Sequence, residues 1–182
     1  MIRHLTLRDY RTMAWANGRG ITTELARLDA ADGAMQWRLS MAQVVEDGSF
    51  SIFPGIDRNL TVISGPGFAL RGSGLDLFAG PYRPVAFPGD VPVAGFGVTS
   101  PSVDFNVMWA RASWSAEVAV LHSGAARLTG DACAAFAPEG AVLSLDGAQR
   151  SLDASDLLLA RGALAFGHSG GAPVLTVCLR RR

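Results

Sequence analysis

The cationic side chains of this chain are of one kind: its sixteen Lys+Arg residues include no lysine. A guanidinium presents a planar fork of donors that grips a carboxylate through paired hydrogen bonds, which a compact ammonium does less well. Two arginines stand where such a grip is useful. In Trp37-Arg38-Leu39-Ser40 the polar and apolar residues alternate, so an extended backbone sends Arg38, Ser40 and Ala42 to one face and Trp37 and Leu39 to the other. Arg58, in Asp57-Arg58-Asn59, follows the Pro54-Gly55 turn and opens a strand. Asn106 faces away from Phe105, Val107 and Trp109, where its side chain can hydrogen-bond either a ligand amide or a neighbouring backbone group. Asn17-Gly18-Arg19-Gly20 is a turn sequence whose successive N–H groups can form an anion-holding nest. With Trp15 and Phe105 as apolar walls, the candidate ligand-binding set is Trp15, Asn17, Gly18, Arg38, Ser40, Arg58, Phe105 and Asn106. Plainer roles compete at each position: an ordinary loop at Asn17, solvent rather than the barrel mouth at Arg38, a surface Asp57–Arg58 pair worth little energy, and a neighbouring backbone group as the partner of Asn106.

Other chemistries find less support. The histidines His4, His122 and His168 are scattered, with no His-x-His pair, so neither a bound metal nor another cofactor is expected. A metal-free epimerase needs a histidine base facing an acid, and His122 at a strand end better suits a turn cap. Gly72-Ser73-Gly74 lacks the spacing of a nucleophile elbow, and Cys133 sits in an apolar run without a nearby histidine. No catalytic residue is assigned. Cys133 and Cys178 lack a CxxC partner and read as buried free thiols.

The elements that must position these residues are strands. The chain has 182 residues, 49% apolar and 18% charged, enough to bury a core. Zero formal net charge offers no field for nucleic acid or an anionic membrane. The first nine residues alternate charged with apolar, unlike a secretory signal, and the chargeless stretch between Arg161 and Arg180 is broken by Gly167, Gly170, Gly171 and Pro173. A cytoplasmic protein is expected, and a homodimer is left open. Runs rich in Val, Leu, Phe or Trp, bounded by turn residues, predict strands at Trp37–Val44, Leu60–Ser64, Gly67–Arg71, Val85–Phe87, Val103–Arg111, Ala116–His122, Ala132–Phe136, Ala141–Leu145, Asp156–Ala160, Ala163–Phe166 and Val174–Leu179. Ile21–Leu28 alone has helical spacing, enough for a turn. If Trp37 and Leu39 fill the core between sheets, Arg38, Ser40 and Ala42 face either the barrel mouth or solvent. Similar Pro/Gly turns at Pro88-Gly89 and Pro138-Glu139-Gly140 suggest two jelly-roll halves, residues 1–97 with the pocket and 98–182, joined near Gly95–Ser102.

Four blocks in order carry a resemblance: Trp15-Ala16-Asn17-Gly18-Arg19-Gly20-Ile21-Thr22-Thr23-Glu24, Trp37-Arg38-Leu39-Ser40-Met41-Ala42, Asp47 through Leu60, and Asp104-Phe105-Asn106-Val107-Met108. Together they resemble the HutD/Ves family of the cupin superfamily, from about Arg8 to the carboxyl terminus. Ala16 and Arg19 depart from the family's Trp-Lys-Asn-Gly-Gly-Gly pattern. The resemblance implies an all-β bicupin, two jelly rolls packed as one domain, associated with histidine utilisation. It also implies a regulatory, non-enzymatic role exercised by binding a small acidic metabolite such as formylglutamate. The alternatives kept beside it are a metal-free cupin isomerase or hydrolase acting on a small carboxylated substrate, and a protein–protein regulator with a vestigial pocket.

Overall fold

Alternating and continuous apolar runs become antiparallel strands throughout the computed structural model, which describes residues 1–14 and 20–182. Trp15, Asn17 and Gly18 therefore lie outside the described residues. In chain order the strands are β1 (Ile2–Leu5), β2 (Arg11–Ala14), β3 (Ile21–Asp29), β4 (Met35–Val44), β5 (Gly48–Ser49), β6 (Ile56–Ser64), β7 (Phe68–Gly72), β8 (Leu75–Ala79), β9 (Val85–Pro88), β10 (Ala94–Phe96), β11 (Ser102–Ala110), β12 (Trp114–Leu121), β13 (Gly124–Leu128), β14 (Ala132–Ala137), β15 (Ala141–Leu145), β16 (Ala148–Leu152), β17 (Asp156–Arg161), β18 (Leu164–His168) and β19 (Val174–Arg181). All eleven strands expected from the sequence are present within a few residues. No helix of the described residues is long and apolar enough to cross a membrane.

Two units divide the chain, Arg11–Ser113 and Met1–Tyr10 with Trp114–Arg182. This differs from the expected junction near Gly95–Ser102. The reason is pairing: β11, which follows that stretch, sits between β4 and β6 in the middle of the first unit's larger sheet and cannot begin a second unit. The changeover comes after the tight turn at Ala110–Ser113, where the Ser113 N–H donates to the Ala110 carbonyl at 3.1 Å. Arg111 pins that turn, donating to Asp57 at 2.7 Å and through both terminal nitrogens to Asp90 at 2.9 and 3.0 Å. Asp57 thus pairs with Arg111 rather than with Arg58, which sets aside the plainer reading of Asp57-Arg58 as a surface pair.

The Arg11–Ser113 unit has a six-stranded sheet in the order β2-β3-β4-β11-β6-β9 and a four-stranded sheet β5-β10-β7-β8. Val44, Leu60 and Val62 of the first pack on Phe68, Leu70 and Ala79 of the second. Each large apolar side chain so buried contributes about 1.5–3 kcal/mol. Leu60, Val62 and Val44 lie on the face that also carries Arg38 and Ser40, because the register aligns Ser40 with Asn106 and Leu60. Trp37 and Leu39 therefore do not fill the space between this unit's sheets. Arg38 and Ser40 face the space between this unit's sheets, while Trp37 and Leu39 are buried on the opposite face.

The second unit pairs β1-β17-β14-β19-β12 and β13-β18-β15-β16. Between these sheets Cys133, Ala135, Leu158 and Cys178 meet Leu143, Leu152, Leu164 and Phe166 in a filled apolar core. Cys133 and Cys178 are free thiols facing each other across β14 and β19, and burial pushes the Cys133 thiol up to about 12.

The helical spacing at Ile21–Leu28 has another origin. These residues form β3, and a register shift between Glu24 and Ala26 inserts an extra residue. That bulge lets Leu25 and Leu28, three apart, share the face of Leu39 and Trp37.

At Gly67 the turn from β6 into β7 holds φ at +85°, and a Cβ there would meet the Ala79 carbonyl oxygen. Gly67→Ala is therefore expected to destabilise the protein by more than about 2 kcal/mol, read as a lower midpoint in urea denaturation.

Candidate functional site

Three neighbouring strands lay out the site as rungs. Met108 of β11 lies opposite Arg38 of β4 and Arg58 of β6; two residues on, Asn106 lies opposite Ser40 and Leu60; two further, Asp104 lies opposite Ala42 and Val62. Because side chains two apart share a face, these residues point to one side of the sheet. The segment between β4 and β6 arches over them and contributes Phe50 and Phe53. Together they bound a cavity of about 480 Å³ lined by Thr22, Arg38, Ser40, Ala42, Phe50, Phe53, Arg58 and Asn106, with Glu46, Asp47 and neighbouring residues at its edge. Asp47 accepts a hydrogen bond from the Val98 N–H at 2.8 Å, which ties the arch to the chain beyond β10.

Arg58 is 6% exposed. Its guanidinium lies over three rings, 5.2 Å from Phe50, 5.8 Å from Phe53 and 5.1 Å from Phe87. Ring quadrupoles attract such a cation, each by about 0.5–2 kcal/mol. Arg58 Nη2 donates to Asn106 Oδ1 at 2.8 Å, and Asn106 Nδ2 donates in turn to Asp104 Oδ1. Arg38 is less buried; it lies 5.5 Å from the Phe53 ring, and its Nη2 reaches Met108 Sδ at 3.0 Å, a weak acceptor. Among the described residues the buried Nε atoms of Arg38 and Arg58 have no hydrogen-bond partner, nor does Asp104 Oδ2.

Burial sets the charges. It lowers Arg58 to about 10, with Asp104 acting in the opposite sense and Arg38 adding to the depression. Arg38 is lowered as well, chiefly by desolvation, which Glu24 partly offsets. Asp104 is fully enclosed, and desolvation raises it to about 7 against the pull of Arg58 and the Asn106 hydrogen bond. Two under-satisfied guanidiniums in an aromatic pocket are suited to receive a carboxylate, whose oxygens supply the acceptors the fold withholds.

Of the sequence-derived candidates, Arg38, Ser40, Arg58 and Asn106 come together at this cavity. Phe105 does not: it is fully buried on the opposite face of β11, as its alternation with Asn106 requires, so it cannot wall the pocket. Phe50 and Phe53 take that part instead. Asp104 was missed by sequence reasoning, although its two-residue spacing from Asn106 marks it for the same face. Nothing local identifies the phenylalanines, which reach the arginines only through the arch. Among the described residues no three His, Cys, Asp or Glu side chains gather as a metal-holding group.

A strand-only architecture of paired antiparallel sheets, one pair enclosing a polar pocket, defines an all-β cupin-like protein. The same fold occurs at 12% identity in protein Ylba from E. coli, with a TM-score of 0.67 over 100% of this chain and 90% of that one. The chain belongs to the HutD family, whose model matches residues 7–172. It is 35% identical over 122 residues to an uncharacterized 21.2 kDa protein in the hutC 3' region of Pseudomonas putida, and 31% identical over 123 residues to protein Ves of Citrobacter koseri. Those matches span 63% and 65% of this chain but 61% and 63% of the relatives, less than two thirds of their length. Two solved structures align nearly end to end. The conserved protein of unknown function PA5104 from Pseudomonas aeruginosa PAO1 is 34% identical with a TM-score of 0.86 over 99% of both chains. HutD from Pseudomonas fluorescens SBW25 is 31% identical with a TM-score of 0.85 over 100% of both. These names link the family to histidine utilisation.

The raised Asp104 carboxyl has a consequence for stability. Between the ordinary value of 3.8 and the folded value of about 7, the native chain holds a proton that the unfolded chain has released. This contribution is fully present below about pH 4 and is lost as pH rises through 7, by at most about 1.4 kcal/mol per pH unit. Asp104→Asn removes the ionisation, so its melting temperature should gain on the wild type between pH 4.5 and pH 8 in parallel thermal melts.

Proposed function

We propose that this protein is a cytoplasmic, non-enzymatic binder of a small carboxylated metabolite of histidine breakdown, of the formylglutamate type, and that occupancy of the pocket serves regulation of that pathway. The observation that carries the proposal is the pair of guanidiniums in one cavity, each with a buried Nε–H that lacks an acceptor among the described residues. A carboxylate entering there gains charge-assisted hydrogen bonds in a desolvated setting. Ser40 and the open side of the aromatic arch leave room for an amide or formyl group. The cavity's acids, Glu46 and Asp47, lie in the arch, and Asp47 is engaged by the Val98 N–H. A cationic floor under an acidic edge supports recognition of an anion more directly than acid–base catalysis. The family's link to histidine utilisation supports the choice of metabolite.

Isothermal titration with N-formylglutamate tests this. Arg38→Ala should weaken binding about ten- to a hundredfold, the worth of one charge-assisted hydrogen bond, with little change in melting temperature. Arg58→Ala should lose as much affinity and also destabilise the fold, because it empties the ring box and leaves Asn106 and Asp104 without their cation. Unchanged affinity in Arg38→Ala would move the site elsewhere, and conversion of the ligand during incubation, followed by proton NMR, would replace the binder with an enzyme.

A further inference from the structure

Behind the cavity stands a carboxyl group that the binding proposal does not use. Asp104 is wholly enclosed and touches no guanidinium directly; its one hydrogen bond comes from Asn106 Nδ2, and its Oδ2 is buried without a partner among the described residues. The sense of the chain is fixed. Were the Asn106 amide turned over, its NH₂ would face the Arg58 guanidinium and its oxygen the Asp104 carboxyl, so both ends hold it as observed. Asn106 therefore separates a buried cation from a buried acid by a single amide. Whatever reaches Arg58 from the cavity competes with Asp104 for the same positive field.

We infer, resting on the binding proposal above, that the pocket takes up a proton together with each carboxylate anion, and that the proton resides on Asp104. The charge balance is simple: one anion and one proton enter, and the buried site keeps the net charge it had when Asp104 was ionised. The ligand's carboxylate at the free Nε atoms offsets the field of Arg58, which together with the Asn106 hydrogen bond favours ionised Asp104 over its protonated form. Among the described residues, Asp104 is the carboxyl enclosed behind the arginines, while the other acids near the cavity, Glu46 and Asp47, lie in its arch. Directly opposite Asp104 are Ala42 and Val62. On β4 the nearby charge is Arg38; on β3 Glu24 lies with Arg27, at 3.9 Å from it. On the facing sheet the charged residues are Arg71 and Asp76, paired with each other in solvent. The raised position of Asp104, about 7 before a ligand enters, puts the exchange within an accessible range.

Binding lifts Asp104 further, so proton uptake occurs between about 7 and the higher bound-state value, while the ligand's own carboxyl, near 4, stays ionised throughout. Affinity is then highest below pH 7 and falls as pH rises above it, by up to about tenfold per unit.

The test is titration of N-formylglutamate into the intact protein between about pH 6 and pH 8.5, in buffer pairs of equal pH and different ionisation enthalpy. The expected result is uptake approaching one proton per ligand near pH 7.5 and a dissociation constant that rises above pH 7. In Asp104→Asn both effects should vanish. An infrared difference spectrum of the wild type, showing a protonated carboxyl appear with ligand, reports the same event without a variant. Binding with no proton uptake and a flat pH profile would overturn this inference and leave the binding proposal standing. Proton uptake that persists in Asp104→Asn would overturn the assignment to Asp104. No binding at any pH would overturn both.

Discussion

A buried guanidinium organises the amino-terminal sheet. Taking the charge of Arg58 out of water costs several kcal/mol, and the surroundings offset that cost by three means: rings above the cation, an amide oxygen at one nitrogen, and a carboxyl one residue pair beyond. Each means constrains another part of the chain. Phe50 and Phe53 require the arch between β4 and β6 to close over the strand, Phe87 requires β9 to pair with β6, the amide requires Asn106 in register with Leu60, and the carboxyl requires two more residues of unbroken alternation on β11. The compensation leaves the Nε–H of Arg58 without an acceptor, as it does that of Arg38, and both belong to the site.

The same logic explains why the two units differ. In the carboxyl-terminal unit the inward positions of β14 are Cys133, Ala135 and Ala137, small side chains over which Leu143, Leu164 and Phe166 close, with His168 the polar side chain buried at the end of β18. In the amino-terminal unit the inward positions at one end are Arg38, Ser40, Arg58 and Asn106, which cannot interdigitate as hydrocarbon does, while Val44, Leu60 and Val62 pack normally at the other. A pocket persists where polar side chains claim the space between sheets. Its aromatic roof also keeps the dielectric low, which strengthens each hydrogen bond an anion makes there.

Much of this was legible beforehand. The eleven predicted strands are those with buried, alternating or continuous apolar runs. Of the strands not foreseen, β1, β2, β5, β8, β13 and β16 are edges of their sheets, half in solvent, where burial leaves a faint apolar pattern. The bulge in β3 mimics helical spacing. The junction was misplaced because a Gly/Pro/Ser stretch looks the same whether it joins two units or two strands of one unit, and only the partners of β11 distinguish the cases. Arg38, Ser40, Arg58 and Asn106 were found by alternation; Phe105, chosen as a wall, fails by that same alternation.

The all-β class, the faces of β4 and β11, the arginine chemistry and the family follow from local periodicity, residue type and the order of motifs along the chain. Tertiary structure alone decided which face of β4 looks between the sheets, that Asp57 serves Arg111, that Phe50, Phe53 and Phe87 enclose Arg58, and that Asp104 loses its water. Those outcomes depend on strand pairings between residues far apart in the chain and on desolvation that pairing creates, and neither is written in any window of neighbouring residues.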